Sequence, residues 1–97
     1  MIKGLTQEQE LVVQNILEPY KRDYEFYYYG SRVKGGFEKT SDLDILIKGN
    51  EEISYNVLET IKFAFDQSEL PFIVNFSDYN NIDERFYNLI KKDLVRV

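Results

Sequence analysis

No cysteine and no histidine occur in the chain. Without thiols there is no disulfide framework, no thiolate zinc site and no cysteine nucleophile. Without imidazole, the commonest general base and the commonest transition-metal ligand are both missing. Whatever chemistry the protein performs falls to carboxylates, hydroxyls and amides, with hard cations as their natural companions. No apolar run approaches the roughly 20 residues that span a bilayer. The opening MIKGLTQEQE lacks the apolar core of a secretion signal. The expectation is a soluble cytoplasmic protein with no membrane partner. Repeats, low-complexity tracts and Pro/Gly/Ser linkers are absent as well, so residues 1–97 read as one domain, too short for two cores.

What is present can build a core. Hydrophobic residues make up 43% of the sequence, with eight tyrosines and seven phenylalanines, which excludes a disordered chain despite 30% charged residues. The net charge of −5 argues against the phosphate backbone of nucleic acid as the main partner. One segment runs the other way: residues 31–40 hold Arg32, Lys34 and Lys39 against Glu38 alone. Charge leaves two readings of that loop, a seat for a small anion or a set of solvated side chains.

Thr6 followed by Gln9 is a capping-box spacing, and Val13, Ile16, Leu17 and Tyr20 recur at helical intervals, so a helix is expected over residues 6–18, closed by Pro19. Residues 24–29 are aromatic with one charge and read as a strand ending at Gly30. A single helical turn after Ser31 and a polar loop follow. Residues 43–47 are nearly all apolar, as in a strand covered on both faces. Val57, Leu58, Ile61 and Phe65 mark a helix with Ser54 as its cap, and residues 72–76 a third strand. Asn81 with Glu84 starts a last helix whose buried face is Phe86, Leu89 and Ile90. The order α-β-α-β-α-β-α defines an α/β (α+β) fold, a small mixed three-stranded sheet flanked by helices. Tyr27, Tyr28 and Tyr29 read as a packed strand with hydroxyls at its rim, and Lys91-Lys92 as a helix C-terminus favoured by the dipole.

The stretch GSRVKGGFEKTSDLD places Gly30-Ser31 and the pair Asp42/Asp44 with ten residues between them. Side chains two apart on a strand share a face, with α-carbons roughly 6.6 Å apart at about 3.3 Å per residue. Two carboxylates so close repel each other unless a cation lies between them. With oxygen the only ligand available, magnesium or manganese is the fitting ion. Glycine lets backbone amides approach an anion, and Ser31 adds a hydroxyl at the start of a short helix. Either piece alone is a plain turn or a loop edge. Together, with a strand on each side, they describe a metal–triphosphate site.

GSRVKGGFEKTSDLDILI resembles the GS-x10-DxD signature of the DNA polymerase β nucleotidyltransferase superfamily, and particularly the minimal nucleotidyltransferases (MNT proteins). The similarity covers almost the whole chain. It implies that Gly30 and Ser31, with Arg32 beside them, grip nucleotide phosphates, while Asp42 and Asp44 hold Mg2+ in a two-metal arrangement, Mn2+ being an alternative. Many members carry a third Asp on the last core strand; the matching position here is Asn75. An amide oxygen still ligates magnesium, but it has no charge and is a poor base. Asp78 is an odd number of residues away and faces the other side of the strand unless a bulge intervenes. The resemblance further implies transfer of AMP from ATP to a hydroxyl, the acceptor being a tyrosine of a HEPN-family toxin for which the protein is the antitoxin, within a homo- or hetero-oligomer. Asn75 keeps a second function open, a catalytically weakened binding module that neutralises or stabilises its partner by contact.

Overall fold

Thr6 starts the first helix by the reciprocal bonding its spacing to Gln9 implies. The Gln9 N–H donates to Thr6 Oγ1 at 3.1 Å, and the Thr6 N–H donates to Gln9 Oε1 at 3.0 Å. In the computed structural model, which describes residues 2–97, this helix is α1 (Gln7–Leu17), and Pro19 falls in a 3-10 turn at Glu18–Tyr20. The strand β1 (Glu25–Tyr29) follows, then the one-turn helix α2 (Ser31–Lys34) and the strand β2 (Leu43–Lys48). Helix α3 (Tyr55–Asp66) is capped by Ser54, whose Oγ accepts from the Val57 N–H at 3.3 Å. Strand β3 (Val74–Asp78), helix α4 (Glu84–Ile90), a 3-10 turn at Lys91–Asp93 and strand β4 (Val95–Arg96) complete the chain.

The mixed sheet has the order β3-β2-β1-β4. Strands β1 and β2 pair antiparallel, joined through the Gly30 turn and α2, while β2 and β3 pair parallel through the α3 crossover. Alternation decides which residues each face receives. On one side Phe26, Tyr28, Leu43, Ile45 and Ile47 meet Val13 and Leu17 of α1 and Ile61 and Phe65 of α3. On the other, Tyr29 and Leu46 meet Ile90 and Phe86 of α4, with the Tyr29 and Phe86 rings edge to face at 5.9 Å. The continuous apolar run of β2 is thereby explained, since both of its faces are covered.

Four points depart from the expectation. The sheet has a fourth strand, β4, which pairs antiparallel with β1 through Arg96 and Val95 only. Two residues are too few to show any alternation in sequence. Strand β3 begins two residues late, because Phe72 turns its ring under the Arg32 guanidinium, 3.9 Å from its centroid, instead of entering the ladder. Helix α4 is capped by Asp83, whose Oδ1 accepts from the Phe86 N–H at 2.8 Å, whereas Asn81 spends its amide on Glu52. Leu89 is 70% exposed, so the apolar face of α4 is Phe86 and Ile90. The three tyrosines do pack with polar rims: the buried Tyr28 hydroxyl donates to Glu10 Oε2 at 2.5 Å, and burial raises its pKa far above the ordinary value. Among the described residues no helix is long and apolar enough to cross a membrane.

Ile61 is fully buried where the crossover helix meets the sheet. Ile61→Ala should cost about 2–5 kcal/mol, read as a lowered urea midpoint with an unchanged slope. A loss below about 1 kcal/mol would mean that α3 does not anchor the parallel pair.

Candidate active site

The end of β1, the start of β2 and the start of β3 form one edge of the sheet. Register sets Tyr29 opposite Asp44, and Asp44 beside Asn75, so these three stand in a row across the strands. Asp42 lies one residue before β2 and, two positions from Asp44, is turned to the same place. The Asn75 amide documents the convergence: its Nδ2 donates to Asp42 Oδ2 at 2.9 Å and to Asp44 Oδ1 at 3.3 Å. A positively polarised group therefore sits where the two carboxylates point. The carboxylate oxygens of Asp42 and Asp44 are the atoms that could hold a cation there, and oxygen is what magnesium or manganese takes. Among the described residues there is no group of three or more carboxylate, histidine or cysteine side chains around such a point. Asp42, Asp44 and an amide are what the chain offers.

Gly30 completes the geometry. Its φ of +87° lies in the region that glycine adopts without strain, and a Cβ placed on it would stand 2.3 Å from Asp44 Oδ2. The carboxylate of Asp44 thus occupies the space a side chain at residue 30 would take. From Gly30 the chain turns directly into α2, with the Val33 and Lys34 N–H groups both donating to the Gly30 carbonyl at 3.0 Å. Ser31 opens that turn, and the first amides of a helix have no partner within it. The turn and the Asp44 carboxylate are neighbours.

Electrostatics follow from this crowding. Burial raises the pKa of Asp44, the Asn75 hydrogen bond lowers it, and the charge of Asp42 raises it again. Behind Asp44, the nearly buried Tyr29 hydroxyl is within 2.9 Å of Ser77 Oγ, and burial lifts the tyrosine pKa. Sequence reasoning passed over this hydroxyl pair, although Ser77 shares the face of Asn75 by simple alternation.

Arg32 is placed differently from the other phosphate-binding candidates. It is 3% exposed, and its guanidinium donates to main-chain carbonyls: Nε to Ser41 at 2.9 Å, one terminal nitrogen to Gly4, the other to Lys39 at 2.9 Å and Glu38 at 3.4 Å. Lys34 and Lys39 are the exposed cations of the loop. Asp78 stands apart from the site. The β2–β3 register runs unbroken from Leu43↔Val74 to Ile47↔Asp78, so no bulge turns Asp78 round. Its carboxylate accepts from the Ile53 N–H at 2.8 Å and the Asn80 N–H at 2.9 Å, and so ties two loops together.

A sheet edge with glycine, serine and paired aspartates around one oxygen-lined point defines the nucleotidyltransferase class, and the comparison with known proteins agrees. The chain belongs to the nucleotidyltransferase domain family, which it matches over residues 10–96, and within it to the minimal (MNT) branch. It is 36% identical over 85 residues to a Haemophilus influenzae protein named "Probable protein adenylyltransferase MntA", covering 88% of this chain and 75% of that protein.

Two outcomes are expected from the geometry alone. Gly30→Ala should displace Asp44 and strain the turn, lowering stability by about 1–3 kcal/mol and weakening Mn2+ binding; an unchanged Mn2+ affinity would place the cation elsewhere. Asn75→Asp removes the donor between the carboxylates and adds a like charge. In EDTA it should lose on the order of 1 kcal/mol of stability, and Mg2+ should then raise its melting temperature more than it raises that of the wild type.

Proposed function

We propose that the protein transfers AMP from ATP to a hydroxyl of a partner protein, with Mg2+ (or Mn2+) held by Asp42 and Asp44. The observation that carries this reading is the convergence of both carboxylates on one point directly beside the Gly30-Ser31 turn. The acceptor oxygen attacks the α-phosphorus, the bond from that phosphorus to the bridging oxygen of the β-phosphate breaks, and pyrophosphate leaves. A bound divalent ion supplies charge neutralisation on the phosphates and orients the attack. Gly30 leaves room for the phosphates to approach, and Ser31 donates its hydroxyl and main-chain N–H to them. Arg32 acts at one remove in this reading, since carbonyls already hold its guanidinium.

A protein acceptor suits a site whose Asp42 and Asn75 are exposed at a sheet edge. The name of the Haemophilus influenzae relative points the same way. The family resemblance suggests a tyrosine of a HEPN-family toxin as acceptor, with this protein as its cytoplasmic antitoxin in a hetero-oligomer. Asn75 favours one alternative. It holds the two carboxylates with a neutral donor and takes no proton from an attacking hydroxyl, so the protein would then silence its partner by contact alone.

Labelled ATP, Mg2+ and the partner protein separate the two. Transfer of label that Asp42→Ala and Asp44→Ala each abolish supports the enzyme; tight partner binding without transfer supports the binder. Ser31→Ala should weaken ATP binding by about 0.5–3 kcal/mol and leave adenosine unaffected; equal losses for both would remove phosphate from this turn. A positioned base contributes about 10²–10⁴-fold, so wild-type transfer should be slow. Asn75→Asp should accelerate it with little change in ATP affinity, and an active wild type that Asn75→Asp does not improve would mean that another group receives the proton.

A further inference from the structure

Building on the nucleotidyl-transfer reading, we infer that Arg32 is a positioning residue that fixes the spacing between the phosphate turn and the carboxylate pair. The two halves of the site lie at the start of α2 and around the start of β2, two elements joined by residues 35–42. That loop carries Gly35 and Gly36, both at positive φ, exposed side chains at Glu38, Lys39 and Thr40, and one small turn of its own, in which the Glu38 N–H donates to Ser41 Oγ at 2.8 Å and the Ser41 N–H to the Glu38 carbonyl at 3.1 Å. Arg32 ties that turn to α2. From the second residue of α2, one side chain binds the carbonyls of Glu38, Lys39 and Ser41, the last being the residue before Asp42. Its plane rests on the Phe72 ring at 3.9 Å, with Phe37 at 5.4 Å.

The clamp extends to the N-terminal turn. The Arg32 side chain also binds the Gly4 carbonyl, and the Gly4 N–H donates to the Arg32 carbonyl at 2.9 Å. A Cβ on Gly4 would stand 2.3 Å from Arg32 Cβ, so the backbones meet as closely as glycine allows. Four carbonyls from two separate segments converge on the planar fork. A guanidinium reaches them in different directions at once; a lysine ammonium, a single point of charge, does not. The charge is spent on carbonyl dipoles, and the geometry it sets is passed to Ser31 on one side and Asp42 on the other.

A positioning role has a signature that general damage lacks: each half of the site works alone, and only the use of both together suffers. The test compares three probes on Arg32→Lys, namely Mn2+ alone, tripolyphosphate alone, and Mn2+ with ATP. Mn2+ and tripolyphosphate should each bind within about twofold of wild type, while Mn2+–ATP should weaken at least about tenfold. Phe72→Leu takes away the ring beneath the guanidinium but keeps the arginine, and should repeat the pattern at about threefold. It carries the test by itself if Arg32→Lys does not fold. An Mn2+–ATP affinity unchanged in both variants overturns the inference. A loss for tripolyphosphate as large as that for Mn2+–ATP overturns it too, because Arg32 would then touch phosphate directly. A wild type that does not bind Mn2+–ATP at all sinks the nucleotidyl-transfer reading, and this inference with it; the other outcomes leave that reading standing.

Discussion

The antiparallel register of β1 on β2 is the constraint from which the remainder follows. It sets Tyr29 opposite Asp44, and so delivers the chain into the Gly30 turn at the one point where the Asp44 carboxylate can fill the space beside it. A slip of one residue would send the aspartates to the α1–α3 side, against Val13, Leu17 and Ile61, and turn Ile45 and Ile47 away from it. The register is therefore enforced by burial: the same alternation that hides the isoleucines exposes the acids. Site and core are two readings of one pleat.

The helices serve this arrangement from both sides. The α1–α3 layer presses on the apolar face and, through the crossover, lays β3 parallel to β2 so that Asn75 arrives beside Asp44. On the opposite face α4 covers Tyr29 and Leu46. The exposed end of that face is where Asp42 and Asn75 stand.

Much of this was legible beforehand because it rests on local chemistry. The Thr6–Gln9 reciprocal cap, the Ser54 cap, the turn at Ser31 and the shared face of Asp42 and Asp44 depend on residues within four positions of each other. The placement of Asn75 beside them was readable through family resemblance, not through local pattern. What escaped was set by distant partners. Phe72 looks like a strand residue until Arg32 is placed over it, and Arg32 looks like a loop cation until the carbonyls of Gly4 and Ser41 are brought to it. Strand β4 exists only because β1 offers an edge to two residues at the chain's end. Asn81 reads as the cap of the last helix from its spacing to Glu84, but its amide bonds to Glu52 and Asp83 caps the helix.

The position of Asn75 carries an implication for how such a protein changes over time. It sits on an edge strand with its side chain in solvent, and its backbone holds the ladder whichever polar group it bears. Asparagine and aspartate have nearly the same shape, and their codons differ by a single base. An exchange between the two alters the charge beside Asp42 and Asp44 without repacking a core residue. The cost of the exchange is confined to the hydrogen bonds and charge that residue 75 shares with Asp42 and Asp44.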